Sequence, residues 1–116
     1  MSEPIRSYRD FWPYYLKEHS KPATRSWHIA ATGVASIIFL VGIASANVAL
    51  VIAAVVVGYL PAWMAHVLIE GNRPATFRHP LWSLASDFRM VGCWLTGALD
   101  RELTKAGVPP DGGRRA

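Results

Sequence analysis

Hydrophobic positions change their pattern three times along this chain. Tyr8, Phe11, Trp12, Tyr15 and Leu16 recur at near-helical spacing, and Ser7 with Asp10 supplies a start signal, so a helix is predicted over Ser7–Glu18. Pro13 falls inside it and predicts a kink or a late start. The rings of Phe11, Trp12, Tyr14 and Tyr15 suit a helix lying at a membrane interface. The periodicity then disappears. From Ser26 to Ile69 the chain runs for 44 residues without Asp, Glu, Lys or Arg. As one helix this run would be about 66 Å long, roughly twice a hydrocarbon core of about 30 Å. Two crossings are predicted, about Ser26–Ala44 and Val48–Glu70, turning at Ser45, Ala46 and Asn47, with Asn47 capping the second. Gly58 and Pro61 interrupt that second helix, as membrane helices tolerate. "GNRPATFRHP" reads as a loop, and Leu84–Lys105 as a last helix with Phe88, Val91, Trp94, Leu95 and Leu99 on one side. Asp87, Arg89, Asp100, Arg101 and Glu102 are expected to keep its ends in water. Residues 1–6 read as a loose tail and 107–116 as a disordered one. The fold class predicted is all-α: a small integral membrane bundle with a transmembrane hairpin, an interfacial N-terminal helix and a C-terminal helix, one domain over residues 1–106.

Composition decides between a membrane hairpin and a buried one. Of 116 residues, 52% are hydrophobic and 17% charged, where a soluble domain carries about a quarter charged. Too little sequence remains to cover so long an uncharged run, which favours the membrane. No apolar core followed by a small-residue cleavage site precedes the first helix, so no signal peptide is expected. Cys93, the single cysteine, forms no internal disulfide and reads as a small apolar filler.

A net charge of +4 raises the question of nucleic acid. Its distribution answers otherwise. Arg6, Arg9, Lys17, Lys21 and Arg25 precede the apolar run, the other basic residues follow it from Arg73 to Arg115, and none lies at the turn. That asymmetry predicts cytoplasmic termini and an inner-membrane protein whose bases face anionic headgroups. Membrane lipid is the expected partner, and no nucleic acid is.

The candidate chemistry is imidazole. His19, His28, His66 and His79 all fall near the cytoplasmic membrane boundary, and the antiparallel crossings set His28 and His66 at one depth. Neutral imidazole is the commonest protein ligand for iron, zinc and copper. His66 lies on an otherwise apolar face, where a polar group needs a partner or a function. Glu70 follows one turn later on the same face. Three roles stay open for it: a ligand, an acceptor fixing the His66 tautomer, or a carboxylate paired with Arg73; the acceptor role is favoured over the ligand. No His-Glu-x-x-His motif is present, which excludes a zinc-protease helix. The histidine inventory suits one metal rather than a di-iron cluster, with open positions for O₂ and a chelating substrate.

"YYLKEHSKPATRSWHIAATG" followed by "PAWMAHVLIEGNRPATFRHPLWSLASDFRM" resembles the 2-hydroxy-fatty-acid dioxygenase family. Its fungal members are endoplasmic-reticulum enzymes of phytosphingosine breakdown, with short bacterial relatives. The resemblance spans about Tyr8 to Leu99 and rests on the combination of Glu-His, a second His nine residues on, His-x-x-x-Glu-x-Asn-x-Pro-Ala and His-Pro-Leu-Trp. Ala31 and Ala65 stand where the family usually has Gly, and an Asn expected near Thr24 is missing. The resemblance implies Fe(II)-dependent α-oxidation, in which a 2-hydroxy fatty acid and O₂ give the acid one carbon shorter and CO₂. It implies Fe(II) on His19, His28 and His66, with His79 a fourth ligand or substrate-facing group. Arg73 and Arg25 then become the cations to hold the carboxylate, with Asn72 and Tyr59 as further polar contacts and Glu70 and Arg73 as the catalytic candidates. Two other readings fit the same residues: a non-enzymatic membrane scaffold, and a proton-coupled transporter subunit relaying through His66 and Glu70. The transporter requires an oligomer, since two crossings cannot enclose a pathway; the enzyme fits a monomer or an oligomer.

Overall fold

Helix α1 (Tyr8–Lys17) opens where Ser7 accepts the Asp10 amide at 3.2 Å, so Pro13 neither delays nor ends it. The computed structural model describes residues 4–112; the outer parts of both expected tails, residues 1–3 and 113–116, lie outside that range. Among the described residues all regular structure is helical. Phe11, Trp12, Tyr15 and Leu16 face inward from α1, and Tyr14 stays half-buried. They form the main core with Met90, Leu99, Leu103 and Val108.

Helices α2 (Pro22–Ala44) and α3 (Val48–Ala65) form the expected hairpin. Its turn puts Ala46 at φ +51°, and Asn47 caps α3 by accepting the Leu50 amide at 3.2 Å. α2 begins earlier than the uncharged run because Pro22 supplies the fixed φ of a first helical turn. The two helices lie close: a Cβ added at Gly58 would come within 3.2 Å of Ala35. Both are long and apolar enough to cross a bilayer, and most of their surface is uncovered. α3 continues into a widened π-helical turn, His66–Glu70, closed by the Gly71 amide reaching the His66 carbonyl at 2.7 Å.

The last helix predicted is two helices with a break between them. α4 (Pro80–Thr96) starts at the proline and stops at Gly97, whose φ of +78° ends the helix in a left-handed cap. α5 (Leu99–Lys105) follows. The segment after it differs from a disordered tail as far as Gly112. Val108 is buried, and the Pro110 carbonyl accepts the Arg25 guanidinium at 2.6 Å. Apolar burial at one position and a charged donor at another hold this segment across the start of α2.

Candidate metal centre

Three elements each contribute one imidazole. His19 follows the last turn of α1, His28 lies one and a half turns into α2, and His66 opens the π-turn after α3. All are buried, His19 and His66 to 1% exposure. Ring centroids are 4.5 Å apart for His19–His28, 4.4 Å for His19–His66 and 5.4 Å for His28–His66. A ligand nitrogen from each lies within 4.8 Å of the other two.

Hydrogen bonding fixes how these rings are presented. His19 Nδ1 lies 2.7 Å from the Tyr15 carbonyl, which only accepts, so Nδ1 carries the proton. Asn72 donates its amide to the Glu18 carbonyl at 3.0 Å, which turns its oxygen toward His66 Nδ1 at 2.7 Å. His66 is thereby also protonated on Nδ1. The two Nε2 atoms then face each other as lone pairs, 3.0 Å apart. Lone pairs so arranged repel unless a cation lies between them. The spacing matches two nitrogens at right angles, each about 2.1 Å from one ion. His28 Nδ1 lies 3.3 Å from Asp87 Oδ1 without a well-aligned hydrogen bond, leaving Nε2 as its free ligand atom. The donor set fits a divalent first-row metal.

Electrostatics outside the two long apolar helices agree. Burial, then the neighbouring imidazoles of His28 and His66, pushes the His19 pKa well below 6.5, so it stays in the neutral ligand form. Burial raises Asp87 to about 7, against the opposing hydrogen bond from the Tyr15 hydroxyl at 2.5 Å. Burial and Asp87 together raise the Tyr15 phenol, which remains a donor.

Asp87 was read from the sequence as a solvated charge. It is 7% exposed and touches the histidine site. A signal was available, because Ser83, Ser86, Asp87 and Met90 form one buried stripe on α4, opposite the exposed Leu81, Leu84 and Phe88.

Other candidates are placed differently from expectation. Asn72 orients His66 rather than facing open space for a substrate. Glu70 does not reach His66. It accepts the Ser20 hydroxyl and, at 3.0 Å, the Lys21 amide, capping α2 from outside because Lys21 has no side-chain cap of its own. Arg25 is buried and donates to the carbonyls of His19 at 2.7 Å, Ser20 at 3.0 Å and Pro110 at 2.6 Å, so it is tied to the protein's own backbone. Arg73 is exposed, 5.9 Å from the Phe77 ring centre, and is not brought to the cluster. His79 is not brought there either, because its ring stacks on Trp82 at 5.3 Å and meets Phe11 edge-on. Tyr59 and Asp87 share the wall of a groove of about 520 Å³ that runs down the hairpin.

A family model described as 2-hydroxy-palmitic acid dioxygenase Mpo1-like matches residues 5–99, a stretch containing every group of this site. No curated protein and no solved structure matches the chain.

Proposed function

Since the chain belongs to the Mpo1-like family, we propose that it is an iron-dependent dioxygenase that shortens 2-hydroxy fatty acids by one carbon at the cytoplasmic face of the inner membrane. The net conversion balances: R–CH(OH)–COOH and O₂ give R–COOH, CO₂ and H₂O. His19, His28 and His66 hold the ion. Ferrous iron there supplies a Lewis-acid seat for a 2-hydroxy carboxylate and redox chemistry toward O₂. The chain itself keeps the imidazoles neutral and aimed. The Tyr15 carbonyl and Asn72 hold the Nδ1 sides of His19 and His66, Asp87 stands 3.3 Å from that of His28, and Arg25 fixes the backbone of His19 and Ser20. Asp87 and Tyr15 form a buried acid–phenol pair beside His28 and can hold a proton there. The uncovered apolar hairpin supports a bilayer location for a site that takes a lipid acid.

The observation that carries this reading is the convergence of three buried imidazoles, two of them with Nε2 atoms turned face to face. Anaerobic loading with Fe(II) should give one iron per chain, and 2-hydroxypalmitate with O₂ should give pentadecanoate and CO₂. His19→Ala, His28→Ala and His66→Ala should each lose iron and the thermal stabilisation that iron confers, whereas His79→Ala should keep its iron. Full iron in His28→Ala or His66→Ala would overturn the site; iron uptake without acid shortening would overturn the reaction.

A further inference from the structure

The large groove begins where the histidines end. Thr32 lies one turn beyond His28 on α2, and Asp87 of α4, which contacts His28, is also in the lining. Farther along, the lining turns apolar with Phe39, Leu40 and Val55. Ser36 spends its hydroxyl on the Thr32 carbonyl at 2.7 Å and so presents little polarity. Among the described residues no Lys or Arg lines the groove, so it offers little to a charged head and much to a methylene chain. Its floor is closed by the Ala35–Gly58 approach, and Leu84 and Phe88 of α4 form the opposite bank. Leu40 stands twelve residues past His28, about 18 Å along the helix axis, and is itself 65% exposed, so the far end opens sideways onto the hairpin's apolar surface. A second depression of about 200 Å³ around Trp27, Leu60 and Met64 is smaller and carries no Asp, Tyr or Ser.

Resting on the reaction proposed above, we infer that the substrate enters laterally from the bilayer with its acyl chain in the groove between α2, α3 and α4, and that Ser36, Phe39 and Val55 set its chain-length preference. A methylene that enters the groove exchanges lipid contacts for protein contacts, so chain length is selected by fit to the groove rather than by escape from water, and carbons beyond its end remain in lipid. Filling the groove from Ser36 should shorten the preferred chain without disturbing the head.

Full-length protein in lipid nanodiscs tests this in two ways. Ser36→Phe introduces a ring from a half-buried position that is not part of the Ala35–Gly58 contact. Its KM for 2-hydroxypalmitate should rise about tenfold, the scale of overfilling a packed apolar site. KM for 2-hydroxyoctanoate should change far less, the iron content should stay near wild type, and Ile43→Phe, an exposed hairpin position outside the groove, should match wild type throughout. Independently, 2-hydroxypalmitate carrying a diazirine at its terminal carbon should label Phe39, Leu40 or Val55 of the unmodified chain. Equal losses for both acids at unchanged iron, or labelling at Trp27, Leu60 or Met64, would overturn the groove assignment. If wild-type protein shortens neither acid, the reaction falls, and the labelled position still decides where the chain lies.

Discussion

His66 depends on residues well outside its own helix. The Glu18 carbonyl orients Asn72, Asn72 fixes the proton on His66 Nδ1, and Nε2 is thereby freed toward His19. Gly71 makes this possible: its φ of +79° turns the chain back so that Asn72 meets the ring one π-turn behind it. Asn72→Ala should therefore weaken iron binding by about 10 to 100-fold, the usual cost of losing an acceptor behind a ligating imidazole. Glu70→Gln should leave iron affinity near wild type and lower stability by about 1 kcal/mol, as a weakened helix cap does. Iron titrations and melting curves on both proteins separate the roles; equal iron loss in Glu70→Gln would return that carboxylate to the site. The histidines were legible because an antiparallel hairpin forces His28 and His66 to one depth. Their supports were not, since spacing pointed to Glu70, four residues on, while the π-turn and the left-handed glycine hand the ring to Asn72.

At the scale of elements, α4 is inside out. Leu81, Leu84, Phe88 and Leu95 are exposed while Ser83, Ser86 and Asp87 are buried, the reverse of a helix that faces water. Asp87, expected among the charges that keep the helix ends in water, is therefore turned inward instead. The break at Gly97 was equally hidden, because the apolar stripe continues through it to Leu99 and only the backbone shows the turn. That turn lets α5 bring Glu102 beneath α1, where it accepts the Trp12 indole at 3.0 Å and lies 3.6 Å from Arg89 and 3.5 Å from Lys105. The Trp12 hydrogen bond holds the Glu102 carboxyl below its ordinary 4.5. A depressed carboxyl pKa contributes stability above the unfolded value and loses it as pH falls through the folded one. Thermal melts should thus show a decline beginning below about pH 4.5 that Glu102→Gln lacks. The difference at neutral pH should be at most about 1 kcal/mol, since Arg89 and Lys105 are largely solvated. Identical acid limbs in the two proteins would remove Glu102 as a clasp between α1 and α5.

For the whole molecule, charge and apolar surface divide at the same level. The head, built from α1, the first turn of α2, α4, α5 and the loops, carries every Lys and Arg described, whereas the hairpin beyond Arg25 carries none until Arg73. Ile37, Leu40, Ile43, Val48 and Ile52 are each more than half exposed near the far end of the hairpin. Water would penalise that surface by roughly 25 cal/mol for each Å² left bare, and a bilayer removes the penalty. On the location proposed above, positive charge would be retained on the cytoplasmic side, which would place the head, the histidines and both ends of the described chain there and the Ala46 turn on the opposite face. In a Cys93→Ser background, a single cysteine at Lys17 should react with a membrane-impermeant maleimide only in inverted vesicles. One at Ala46 should react only in intact spheroplasts. Labelling of both from the same side would show that the hairpin does not cross, and the site would then have to draw its acid from water rather than from lipid.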